Sequence, residues 1–167
     1  MKIIIFLFLA LIFNSSAFAE ADIPKKEIIE VVQAYSKTIG CLLNLEEKNI
    51  VRYNDGNNEN QYVVLFTIDP ECSGGSAMAH SALVVVTQED YRGRVFIKPA
   101  QSFPVATNNL PQYSESIFIQ DDNLWYTAKE FNWEIDALCC PSIEVKGKLT
   151  FKSGKWEAEP ISTTNTK

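Results

Sequence analysis

The sequence predicts an α+β fold, with an N-terminal helix packed on a twisted antiparallel sheet of about six or seven strands, in a cystatin-like layout stapled by disulfides. Three observations predict it. One helical stripe stands near the N-terminus, a succession of short strand signals follows with turns between them, and four cysteines sit behind an export leader.

The leader is the first element. Met1-Lys2 supplies one positive charge, Ile3 to Phe13 is an unbroken apolar run, and Ala17-Phe18-Ala19 is a small-x-small cleavage site before Glu20. The run is about eleven residues, short of the ~20 that cross a bilayer as a helix. The chain is therefore expected to lose residues 1–19 and to reside in a periplasm or outside the cell, with no stable membrane anchor. Residues 20–159 are expected to form one globular domain and residues 160–167 a flexible tail.

The helix is expected to start near Asp22-Ile23-Pro24, where a capping-type residue and a first-turn proline favour initiation. Ile28, Val31, Val32, Tyr35 and Ile39 then recur at helical period. Lys25, Lys26, Glu27, Glu30, Gln33 and Lys37 fill the opposite face, and Gly40 is the natural stop.

Strand signals occupy the rest. Asn49 to Tyr53 leads into the turn cluster Asn54 to Asn58, after which Tyr62, Val64, Phe66 and Ile68 alternate with Val63, Leu65 and Thr67. Both faces of that strand are largely apolar, which predicts a central position. Ala82 to Thr87 and Arg94 to Lys98 read as a hairpin, and Ser116 to Ile119 with Leu124 to Trp133 as another. Ile143, Val145, Leu149 and Phe151 alternate with Glu144, Lys146, Lys148 and Lys152, which predicts a strand with one wet face. Short turns between successive strands predict antiparallel pairing.

Cys41, Cys72, Cys139 and Cys140 in an exported chain are expected to be disulfide-bonded. Four cysteines allow three pairings, of which the vicinal one closes a small strained ring and is set aside. Neighbouring residues of an extended segment point to opposite faces, so Cys139 and Cys140 are expected to serve different partners. If the odd-numbered face of Ile143 to Phe151 packs on the helix, Cys139 bonds Cys41 and Cys140 bonds Cys72; a break of parity at Pro141 reverses the assignment. Either way each bridge would close a loop of roughly 70 to 100 residues and contribute on the order of 4 kcal/mol.

Charge and motifs narrow the chemistry. The chain carries a formal net charge of −6, and the leader takes away one lysine and no acid. An acidic surface disfavours nucleic acid and anionic lipid and allows a basic protein partner. His80, the only histidine, would need a reduced low-pKa thiol to act as half of a nucleophilic pair. The cysteines and His80 lack the paired spacing of a zinc site. No catalytic, metal or cofactor set is therefore assigned. Ser73, Gly74, Gly75 and Ser76, with His80 beyond them, form a candidate binding loop whose amides are placed to make an anion nest or oxyanion hole; the bland reading is a plain loop. Asp121 with Asp122 and Glu134 with Asp136 sit at turns and read as solvated. Of Trp125, Tyr126, Phe131, Trp133 and Trp156, most are expected in the core and some in an exposed recognition patch.

The run Asp136-Ala137-Leu138-Cys139-Cys140-Pro141-Ser142, followed by a strand and Gly154-Lys155-Trp156, resembles the D-x-x-C-C-P-S ending of exported bacterial proteins and lipoproteins similar to the LppP/LprE lipoprotein family. Cys72-Ser73-Gly74-Gly75-Ser76 resembles a C-x-G-G-S element of such proteins. This chain departs from the lipoproteins in lacking a lipidated cysteine. The resemblance implies an exported bacterial protein and carries no activity with it.

Two function classes follow. The first is a small periplasmic binding or inhibitory, immunity-like protein acting by protein contact, for example against a basic wall hydrolase or toxin. The second is a hydrolase-type enzyme using the Ser73 to Ser76 loop with scattered carboxylates; a structural envelope component is a third possibility. An exposed aromatic or acidic patch would favour binding, and a concave pocket with a buried carboxylate beside that loop would favour catalysis.

Overall fold

Two adjacent strands with apolar residues on both faces need cover on both sides, and one helix covers only one of them. The computed structural model meets that need with three layers. It describes residues 22–54, 61–74, 78–89, 92–106, 109–137 and 140–165; the expected leader, Gly75, Ser76 and Cys139 lie outside them. Helix α1 (Lys25–Ile39) is followed by β1 (Cys41–Tyr53), β2 (Gln61–Asp69), β3 (His80–Gln88) and β4 (Val95–Ile97), which pair antiparallel in sequence order as an inner sheet. Strands β5 (Tyr113–Gln120), β6 (Asn123–Glu130), β7 (Ile143–Lys152) and β8 (Lys155–Asn165) pair likewise as an outer sheet. The α+β class and antiparallel pairing hold, whereas the single sheet of six or seven strands does not form: the strands divide into two sheets of four.

The burial pattern explains the division. On one face of β2 and β3, Val64, Phe66, Ile68, Ala82, Val84 and Val86 pack with Ile28 and Val32 of the helix. On the other, Val63, Leu65, Leu83 and Val85 meet Ile117, Leu124, Tyr126, Val145, Leu149 and Trp156 of the outer sheet. The inner sheet is thus sandwiched, and β2 and β3 read as near-continuous apolar runs. The outer sheet alternates, with Leu124, Tyr126 and Ala128 buried between more exposed neighbours.

The helix ends as the sequence implies. A Cβ on Gly40 would lie 2.6 Å from the Asp69 carbonyl oxygen and 2.8 Å from Pro70 Cα, so only glycine lets the chain turn here against β2. Its start differs from expectation, because Asp22 makes no cap hydrogen bond. Its carboxylate instead accepts from Tyr62 Oη at 2.9 Å and pairs with Arg52 at 2.7 Å, tying the helix entry to the inner sheet.

Two irregular segments join the sheets. In β1 the four residues Glu46 to Asn49 face the single residue Leu65 across the pairing, a wide bulge that swings β1 towards β5. The Asn49 carboxamide then substitutes for a ladder partner, donating to the Glu115 carbonyl at 3.2 Å and accepting from Ile117 N at 3.3 Å. Across the sandwich, the segment after the 3₁₀ turn Pro99–Gln101 lies along β3, where buried Ser102 accepts from Val85 N and donates to the Lys98 carbonyl. The turn and this segment together receive both Trp156 N–H groups, the indole one at Gln101 O and the backbone one at Ala106 O. Finally, the chain beyond residue 159 is not a frayed tail as far as Asn165: β8 stays paired with β7, across a register shift near Pro160.

Candidate functional site

The disulfides depart from the expected pairing. Cys41 bonds Cys72 with the two Cα atoms 5.2 Å apart, so neither alternative that joined Cys41 or Cys72 to the C-terminal pair is correct. The geometric reason is that the odd-numbered face of β7 packs on the inner sheet, not on the helix. The inner sheet therefore stands between β7 and the helix. Cys140 is exposed and is itself disulfide-bonded.

Each cysteine loop is organised by an aspartate. Asp69, fully buried at the end of β2, accepts Glu71 N on one oxygen at 3.0 Å and Gly74 N on the other at 2.7 Å. This places a carboxylate where an anion nest would hold its ligand, so the Gly74 amide is already used. Ser73 and His80 are exposed on either side, His80 at the first position of β3. Among the described residues no group of three His, Cys, Asp or Glu gathers as a metal site. A buried carboxylate does stand beside the candidate loop, but Asp69 does not line the described cavities.

The second aspartate builds something more exposed. Asp136 Oδ2 accepts Asn132 N at 2.8 Å, Ser142 N at 2.8 Å and Ser142 Oγ at 2.9 Å, with Ser142 itself buried. The first and last residues of the D-x-x-C-C-P-S run are therefore direct partners, and through Asp136 they tie Ser142, at the entry to β7, to Asn132, just past the end of β6. Asn132 adds its carbonyl to the Ile135 and Asp136 amides and its side-chain oxygen to Glu134 N. Outside this clasp, Trp133 is 77% exposed and Ile135 57%. Trp133 leans on Phe131 with ring centroids 5.0 Å apart, and Phe131 meets Tyr113 edge-on at 5.5 Å. An anchored aromatic row thus ends in an indole offered to solvent.

Beside this row opens a cleft of about 450 Å³ between the β1 bulge and the start of β5. Its walls include Asn44, Glu46, Lys48, Gln112, Tyr113 and Lys129. Ser81 bridges its back, donating to the Gln112 carbonyl at 2.7 Å and accepting from Ser114 N at 2.9 Å. Two exposed ion pairs, Lys48 with Glu46 and Lys129 with Glu115, line the opening. Hydrogen bonds from Lys48 and then Asn44 hold the Glu46 carboxyl below its ordinary pKa.

The remaining aromatics divide by strand parity. Tyr126 and Trp156 are core, and burial raises the pKa of the Tyr126 phenol. Trp125, on the opposite parity, lies on the open face of the outer sheet with Lys146 Nζ 5.0 Å and Lys148 Nζ 5.2 Å from its ring centroid. Asp121 and Asp122 form the β5–β6 turn, both with positive φ, in agreement with the turn reading. Sequence reasoning missed the Asp136–Ser142 clasp, the alignment of Tyr113 with Phe131, and Asn49. The first had a signal, an Asx-type residue flanking a cysteine loop; the others depend on contacts between distant strands. Comparison with protein-family models, curated proteins and solved structures finds no match to the chain.

Proposed function

We propose that the protein is a non-catalytic binding protein of the bacterial periplasm or exterior, inhibitory or immunity-like, that grips a partner protein with the Trp133 loop and the cleft beside it. One observation carries the reading: a tryptophan and an isoleucine stand exposed on a loop that Asp136 already fixes. Large aromatic side chains dominate interface energetics when they enter a pocket on the partner. A loop ordered in advance avoids much of the entropy cost of association. The cleft supplies polar and paired charged groups at the edge of that anchor, the arrangement of an apolar centre with a polar rim. The net charge of −6 favours a basic partner through long-range steering.

The test is capture from envelope extract on the oxidised exported chain, beginning at Glu20, beside a Trp133→Ser, Ile135→Ser variant. The expected result is a basic protein retained by the parent, released by rising salt, and lost by at least about tenfold in the variant, in line with removal of a hot-spot anchor. Equal retention by both forms would sink the reading.

A further inference from the structure

The open face of the outer sheet carries a second surface whose chemistry differs from the rest of the molecule. Cross-strand register puts Phe118, Trp125 and Lys148 in one row, and Ser116, Thr127, Lys146 and Ser162 in the next. Among the described residues no helix or strand packs over this face; the helix lies beyond the inner sheet. Lys146 Nζ stands 5.2 Å from the Phe118 ring and 5.0 Å from the Trp125 ring, and donates to Gln120 Oε1 at 2.9 Å. Lys148 Nζ stands 5.2 Å from Trp125. Neither ammonium has a carboxylate within ion-pair distance among the described residues, although Lys148 sits opposite Glu159. Two cations on an acidic chain are thus held by ring faces and a carboxamide. An arriving anion would gain both without breaking an ion pair.

Next to them the face dips into a trough of about 380 Å³ bounded by Thr127, Glu144, Lys146, Ser162 and Thr164. That volume is in the range of small-ligand sites. Hydroxyls that both donate and accept, with two carboxylate acceptors, Glu115 and Glu144, are a poor match for a polypeptide backbone, which is satisfied at a sheet edge instead. They match the hydroxyls of sugar rings, and the paired lysines match a carboxylate carried beside them. Glu115 and Glu144 in the trough, Glu159 opposite Lys148 and Glu157 opposite Thr150 would repel a polymer charged at every unit.

We infer that this face binds an acidic glycan, one whose carboxylates are spaced by uncharged, hydroxyl-bearing sugars. The carboxylate sits between Lys146 and Lys148 above Trp125, and the adjoining sugar lies in the trough against Thr127, Ser162 and Thr164. This surface is separate from the Trp133 loop, and the two readings stand or fall independently.

The test is calorimetric titration of the oxidised chain with hyaluronan oligosaccharides, which carry a carboxylate on alternate sugars, at low salt. Dextran serves as the neutral comparison and polyglutamate as the acidic peptide. Hyaluronan is expected to bind, dextran not, and polyglutamate at least about tenfold more weakly. The K146Q/K148Q variant, which alters two half-exposed side chains and leaves the core intact, should lose binding by at least about tenfold, the equivalent of one charge-assisted contact or more. Trp133→Ser should bind as the parent does. No binding of hyaluronan, or equal binding by K146Q/K148Q, would overturn the assignment. Polyglutamate bound as tightly as hyaluronan would overturn it in favour of an acidic-peptide surface, and loss in Trp133→Ser would move the site off this face.

Discussion

The two sheets have the same strand count and the same simple up-and-down order, yet they play opposite parts. In the inner sheet β2 and β3 are buried on both faces, against the helix on one side and against β5 to β8 on the other. In the outer sheet only one face is buried, and the other carries Phe118, Trp125, Lys146 and Lys148 together with a row of hydroxyls. The inner sheet is committed to holding the molecule together. The outer sheet has a face and a connecting loop to spare; the Trp133 loop and the Lys146–Lys148 face both belong to it, and the inner sheet adds the β1 wall of the cleft.

The largest effect that separates the sheets should come from truncating the middle layer. Phe66→Ala, facing the helix, is expected to cost about 3 to 5 kcal/mol in urea unfolding, whereas Thr150→Ala on the open face of β7 should stay within about 0.5 kcal/mol. A comparable loss at both positions would mean that the outer face is covered. A smaller effect probes how the outer sheet closes on itself. A Cβ on Gly147 would lie 2.2 Å from the Glu159 carbonyl oxygen and 2.6 Å from Tyr126 Cε1, so Gly147→Ala must push β8 or the Tyr126 ring aside. A loss of about 1 to 3 kcal/mol is expected, with proteolysis appearing first in β8. An unchanged melting temperature would show that β8 yields freely.

The smallest effect is shared between the sheets and appears only in alkali. Burial, and after it the hydrogen bond to Asp22, raises the Tyr62 phenol; burial, and after it the nearby Glu130, raises Tyr126. A raised folded value means that the native state holds the proton more tightly than the unfolded chain. The corresponding stability is fully present below the ordinary phenol value near 10 and is lost as pH rises through the folded values. Denaturation midpoints should be insensitive to these groups from pH 7 to about 9 and fall above about 10. Tyr62→Phe and Tyr126→Phe should each flatten that fall, and an unaltered alkaline slope in both would show that neither phenol contributes.

Much of this architecture was legible in the residues. The helical stripe from Ile28 to Ile39, the stop at Gly40, and the doubly apolar run of β2 all follow from spacing, because helix and strand periods are local properties of the chain. The wet face of β7 was legible for the same reason. The existence of a second sheet was only implied: the doubly apolar strands required cover on both sides, and nothing local states what provides it. The disulfide pairing failed at that step, since it placed β7 against the helix. The binding loop shows the same limit from the other side. Ser73 and Gly74 were singled out by composition, but it is the Asp69 carboxylate that takes the Gly74 amide. Trp133 was one aromatic among several until the Asp136 clasp turned it outwards.

By itself, then, the sequence determined which segments are helix or strand, which faces are apolar, and that Cys41, Cys72 and Cys140 are bonded, since these depend on residue type and on spacings of a few residues. Only the tertiary structure decided which apolar face meets which, how Cys41 finds Cys72, and which aromatics are left in solvent. Those outcomes depend on contacts between residues tens of positions apart, and a local period specifies that a face must be covered without specifying by what.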